Sequence, residues 1–166
     1  MNLAHIIDDH ASDSPALISR GRTTSYGELR EQVDRFRGGL QSIGVESGDR
    51  VAMLLSNSPH FVIAYLATVG LGAVAVPLNP TSPGPELETE LGVVGARVVI
   101  VDKVSSTNWS HVDPALLPTV ESVIHTEATP DGALGFDDLV ASSEPIPVVE
   151  VDPSHLAALM FTSGTA

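Results

Sequence analysis

Short runs made only of apolar residues, each followed by a stretch of helical length, constrain this chain more than any other feature of its sequence. Val51-Ala52-Met53-Leu54-Leu55 and Ala73-Val74-Ala75-Val76 are apolar throughout, and Arg97-Val98-Val99-Ile100-Val101 is apolar after its first residue. Side chains alternate between the two faces of a strand, so a run that is apolar at every position needs cover on both faces. A parallel sheet between two layers of helices supplies that cover. Val120-Glu121-Ser122-Val123-Ile124 reads as a further strand, and Leu156-Ala157-Ala158-Leu159-Met160-Phe161 as another buried one.

The intervening stretches carry helical signals. Tyr26, Leu29, Val33, Phe36, Leu40 and Ile43 recur at intervals of three and four, with Ser25 and Glu28 at capping-box spacing and Gly44 placed as terminator. The opposite face of this helix, with Arg30, Glu31, Asp34, Arg35 and Arg37, reads as solvated. Ser58 and Pro59 suit an N-cap and first helical position, opening a helix through Phe61, Tyr65 and Val69 that stops near Gly72. A third helix carries Leu87, Leu91 and Val94 on one face and is closed by Gly95, with a short helical turn expected near Asp113 to Leu117. Ahead of all these, Ala16-Leu17-Ile18 and Arg22-Thr23-Thr24 flank a glycine turn and predict a small hairpin. Residues 126–154 are rich in Pro, Gly, Asp and Ser and read as surface loop, with a weak helix around Phe136 to Val140. Alternation of helix and strand over residues 26–125 predicts an α/β fold: a Rossmann-like, mostly parallel sheet with helices on both faces.

Charge narrows the partners. A formal net charge of −13, with Lys103 as the one lysine, disfavours a nucleic-acid backbone or an anionic bilayer. With no cysteine, disulfides and thiolate metal sites are excluded, which is compatible with a reducing cytosol. The amino terminus lacks the basic residues and apolar core of a secretory signal, so a cytoplasmic location is expected. Phe61 through Leu78 carries no charge, but Gly70, Gly72 and Pro77 interrupt it, and a buried helix followed by a strand is expected rather than a membrane span.

Most candidate motifs have an ordinary reading. Gly70-Leu71-Gly72-Ala73-Val74-Ala75 fits the loose dinucleotide pattern but lies between a helix and a strand, the reverse of the required order, and reads as a helix stop. His5 and His10 miss the spacing that places two ligands on one helix face, and the other histidines are scattered, so no metal site is expected. Asp8-Asp9 and Asp137-Asp138 are adjacent only in sequence and suit surface or capping roles. Thr162-Ser163-Gly164-Thr165 stands apart, because backbone amides around a glycine can converge on an anion and the flanking hydroxyls add uncharged donors. It is not a Walker A loop, and taken alone it reads more readily as a strand-end turn.

Context changes that balance. Phe161-Thr162-Ser163-Gly164-Thr165-Ala166 resembles the opening of the Tyr/Phe-Thr-Ser-Gly-Thr-Thr/Ala-Gly-x-Pro-Lys-Gly motif of the adenylate-forming superfamily, which includes acyl-CoA synthetases, peptide-synthetase adenylation domains and luciferases. Five further stretches are similar to that family's amino-terminal region in the same order: Thr24–Leu29, Gly44–Ala52, Asn57–Val62, Leu71–Pro80 and Gly95–Val98.

The resemblance implies a ligase that uses ATP and magnesium to convert a carboxylate to an acyl-adenylate and then transfers the acyl group to a thiol, commonly coenzyme A. By the same resemblance Thr162, Ser163, Gly164 and Thr165 would hold the β- and γ-phosphates, and no catalytic residue or protein metal ligand is carried over. Residues 1–166 are expected to be the amino-terminal subdomain of an AMP-binding domain, cut within the phosphate loop and inactive alone. A fatty acid is the expected substrate. An amino acid, an aryl acid or a non-catalytic Rossmann-like interaction module are the alternatives. Self-association through uncovered apolar surface is expected of the fragment.

Overall fold

A computed structural model describes residues 1–127, 130 and 133–161. After a 3-10 turn at Leu3–Ile7, β1 (Pro15–Ser19) and β2 (Arg22–Ser25) form the expected antiparallel hairpin, and Arg20 and Gly21 make its turn with positive φ. Helix α1 (Tyr26–Ser42) follows at once. Its Ser25 and Glu28 make both bonds of the capping box, so the start of the helix is set by the first residues that can satisfy its free amides.

The remaining elements alternate: β3 (Arg50–Leu54), α2 (Pro59–Gly70), β4 (Val74–Pro77), α3 (Gly84–Val94), β5 (Val98–Val101), α4 (Lys103–Trp109), β6 (Ser122–His125), β7 (Leu134–Gly135) and α5 (Phe136–Ser142). Strands order as β4-β3-β5-β6-β7, and every pairing in this sheet is parallel. Period-two alternation sorts the apolar runs between two cores. Val51, Met53, Val98 and Ile100 face α1 and α2, whereas Ala52, Leu54, Val99 and Val101 join Leu87 and Leu91 of α3 on the other side. Each fully buried Val, Leu, Ile or Met side chain contributes roughly 1.5–3 kcal/mol, enough to explain why these runs are central. A stacked pair, Phe36 and Phe136 with centroids 3.9 Å apart, closes α5 onto α1.

Three expectations change. Arg37, read as part of a solvated helix face, is 1% exposed and donates through Nε to the Ile146 carbonyl at 3.1 Å, with Asp34 as its ion-pair partner. The face is covered because residues 143–154, within the stretch read as surface loop, return across α1 and the end of α2 as a strap. Gly38 lies directly against the Glu144 carbonyl, and an added Cβ there would collide with it. Second, α4 was not expected, since its residues form no apolar stripe; Asp102 and Ser105 instead make a capping box. Third, the Leu156–Phe161 run forms one bridge rather than a buried strand. Gly70-Leu71-Gly72 is indeed a helix stop, with Gly72 at φ 76°.

No helix among the described residues is long and apolar enough to cross a membrane.

Candidate functional site

Open parallel sheets bind ligands beyond the carboxyl ends of their strands, where the direction of the strand order reverses. Here that point lies between β3 and β5, because β3 leads to β4 on one side and β4 crosses back to β5 on the other. The loop after β3 and the first residue after β5 meet there. Asp102 Oδ2 accepts from the Ser56 amide at 2.7 Å and from Ser56 Oγ at 2.6 Å, while Oδ1 accepts from the amides of Val104 and Ser105. Burial works against ionisation of Asp102, but these donors outweigh it and hold the carboxyl below its ordinary value. The donors at the switch point are therefore committed to a carboxylate of the chain itself, which would repel a phosphate placed among them.

At the outer edge of the sheet, beside β4, the arrangement differs. Ala75 donates its amide to the Ala157 carbonyl at 3.0 Å and accepts from the Leu159 amide at 2.9 Å, which registers Ala158 opposite Ala75 in a parallel bridge. The segment thus runs in the direction of β4, toward the carboxyl edge. Ala158 packs on the core beneath α1 and α2, and Leu159 on the opposite core. Leu156, Met160 and Phe161 are exposed by 50%, 69% and 41%, and no described residue pairs with the far side of this segment. Thr162, Ser163, Gly164 and Thr165, the predicted phosphate-binding residues, lie outside the described residues.

Other chemistry-bearing side chains do not converge on this edge. His60 approaches Asp137 at 3.4 Å and meets Phe136 edge-on, near α5. Burial lowers the pKa of His125, at the end of β6. His5 bridges Asp8 and Glu150 at 2.6 and 2.7 Å. Among the described residues no three His, Asp or Glu side chains are grouped to hold a metal. A cavity of about 620 Å³ lies between Asn2, Val69, Ala73, Val151 and Ala157, beside the start of β4 and so away from its carboxyl end. The Ser56–Asp102 pair escaped sequence reasoning, although an Asp directly after an apolar strand with Ser three residues on is the available N-cap signal.

Residues 4–166 match the family model described as AMP-binding enzyme. Among curated proteins the chain is 34% identical over 167 residues to 4-coumarate–CoA ligase 2 of Oryza sativa subsp. japonica, covering 92% of this chain and 29% of that protein. It is 33% identical over 161 residues to 4-coumarate–CoA ligase 3 of Arabidopsis thaliana, covering 93% and 28%. Among solved structures, the anthranilate CoA ligase AuaEII in complex with anthranoyl-AMP shares the fold with a TM-score of 0.93 at 24% identity, covering 100% of this chain and 33% of that one. Brucella canis acyl-CoA synthetase matches with a TM-score of 0.86 at 25% identity, covering 100% and 32%. The chain thus spans about a third or less of the length of these relatives.

Proposed function

The chain belongs to the AMP-binding enzyme family, and from that premise we propose that residues 1–166 are the amino-terminal subdomain of a longer ATP-dependent acid–thiol ligase. In this reading a carboxylate oxygen of the substrate attacks the α-phosphorus of ATP, the bond to the bridging oxygen breaks, and pyrophosphate leaves. The thiol of coenzyme A then attacks the acyl carbon, releasing AMP and forming the thioester. Thr162, Ser163, Gly164 and Thr165 supply hydroxyl and amide donors to the β- and γ-phosphates, stabilising the charge that builds on the departing pyrophosphate. Magnesium, when bound, would neutralise part of that charge; among the described residues no three His, Asp or Glu side chains are grouped to hold it.

One observation carries the reading: the segment leading into the hydroxyl-glycine tail runs parallel to β4, toward the sheet edge where such folds bind ligands. Because the donors between β3 and β5 are committed to Asp102, a phosphate position beside β4 is favoured over the switch point on that same carboxyl side. For the acid, an aryl substrate is favoured by relatives named 4-coumarate–CoA ligases, and a fatty acid by the motif set and by the acyl-CoA synthetase likeness.

The test is ATP–pyrophosphate exchange by the full-length protein with fatty, hydroxycinnamic, benzoic and amino acids. Acid-dependent exchange is expected, and its absence with every acid would overturn the ligase reading. Residues 1–166 alone should show none, and robust exchange by them would overturn the subdomain assignment.

A further inference from the structure

We infer that Asn2 is a positioning residue that sets the register of segment 157–159 on β4; its consequence for catalysis rests on the phosphate-loop reading of Thr162 to Thr165. The strap that precedes this segment has no helix or ladder of its own between Ser143 and His155, so it is held from outside. Its first half is tied to α1: Arg35 Nη1 donates to the Ser143 carbonyl at 3.0 Å, Arg37 Nε to that of Ile146, and the Ile146 amide donates to the Asp34 carbonyl at 3.3 Å. Its second half is tied to the end of α2, where the Val149 amide donates to the Gly70 carbonyl at 2.8 Å and His155 Nε2 meets the Gly72 carbonyl at 2.7 Å.

Asn2 joins the two partners of that second half. Its Nδ2 donates to the Val69 carbonyl of α2 and to the Val149 carbonyl of the strap, both at 2.8 Å. Its Oδ1 accepts from the Ala4 amide at 2.9 Å, capping the first turn of the chain. Asn2 is 4% exposed, and all three of these bonds go to backbone groups of the chain, so losing a donor strands a carbonyl that it serves. A primary amide is the one side chain of this size that supplies two donors and an acceptor together. Pinning Val149 to the end of α2 leaves a short span to Ala157, and α2 leads directly into β4, so strap and strand share one reference point.

Asn2→Asp retains the acceptor for Ala4 and loses both donors, and Asn2→Ser retains an acceptor without adding charge while its single, shorter hydroxyl donor cannot serve the Val69 and Val149 carbonyls together. In the full-length protein, both variants should speed hydrogen exchange of the Ala75 and Leu159 amides about tenfold, with amides of β3 and β5 unchanged. The KM for ATP in pyrophosphate exchange should rise severalfold with kcat retained. Unchanged protection at Ala75 and Leu159 would overturn the inference, and so would equal acceleration across β3 and β5, which would make Asn2 a general core support. If Asn2→Asp fails to fold, Asn2→Ser decides. Local acceleration in a protein whose wild type shows no acid-dependent exchange would uphold the role of Asn2 in register while overturning the ligase reading.

Discussion

Removing the Arg37 guanidinium would leave the Ile146 carbonyl without its donor inside the protein and Asp34 without its partner. Arg37→Ala should cost about 2 kcal/mol in urea unfolding, for a carbonyl left without its donor and lost packing, since the Asp34 carboxylate left behind is solvated. Arg37→Lys should recover part of that, because an ammonium lacks the planar fork that meets Ile146 and Asp34 together. His5 answers to pH. Its hydrogen bonds to Asp8 and then Glu150 favour the imidazolium and raise its pKa above the ordinary 6.5. A raised folded value means that this contribution is complete below pH 6.5 and is lost as pH climbs through the folded value. The ring is 42% exposed, so the effect is a local loosening of the first turn from Glu150 rather than a change in overall stability. An NMR titration should place the His5 midpoint above 6.5 and lower it in Asp8→Asn; a midpoint at or below the ordinary value refutes the clasp. Neither residue was legible in this role: Arg37 borders the apolar stripe, four residues after Val33 and three before Leu40, but its charge reads as solvated, and only the returning strap, distant in sequence, covers it.

Helices with their own punctuation were readable. Ser25 with Glu28, Ser58 with Pro59, and Gly95 mark ends that the structure reproduces because each signal acts within one turn. Helix α4 lacked the apolar stripe that sequence reading depends on, and its start rests on Asp102, which also joins β5 to the loop after β3. Asp102→Ala removes both functions and should cost about 2 kcal/mol, the sum of a lost cap and a lost tie to Ser56, measured by chemical denaturation near neutral pH. The carboxyl is held below its ordinary 3.8, so its contribution is present above that pH and is lost as pH falls through the folded value. The stability gap between wild type and Asp102→Ala should accordingly narrow in acid, and a gap independent of pH would argue against a charged cap.

At the scale of the whole molecule, the sheet ends on one side at a segment whose far edge pairs with no described residue and which carries three exposed apolar side chains, Leu156, Met160 and Phe161. An open, apolar edge is a template for pairing with another chain. Residues 1–166 prepared alone should therefore elute above 17.3 kDa in a concentration-dependent manner, and Leu156→Lys with Met160→Lys should shift them toward monomer; a strictly monomeric wild type would refute this. The sequence by itself determined the layered α/β architecture and the order of its elements, because apolar period, caps and glycine stops are local codes that each element reads on its own residues. Tertiary structure alone decided which strands neighbour one another, the burial of Arg37 and Asn2, the closure of the switch point by Asp102, and the pairing of residues 157–159 onto β4. Each of these joins residues far apart in the chain, and all but the Asp102 contact do so through backbone groups that every residue carries alike, whereas Asp102 shows in the sequence as a cap but not as the partner of Ser56.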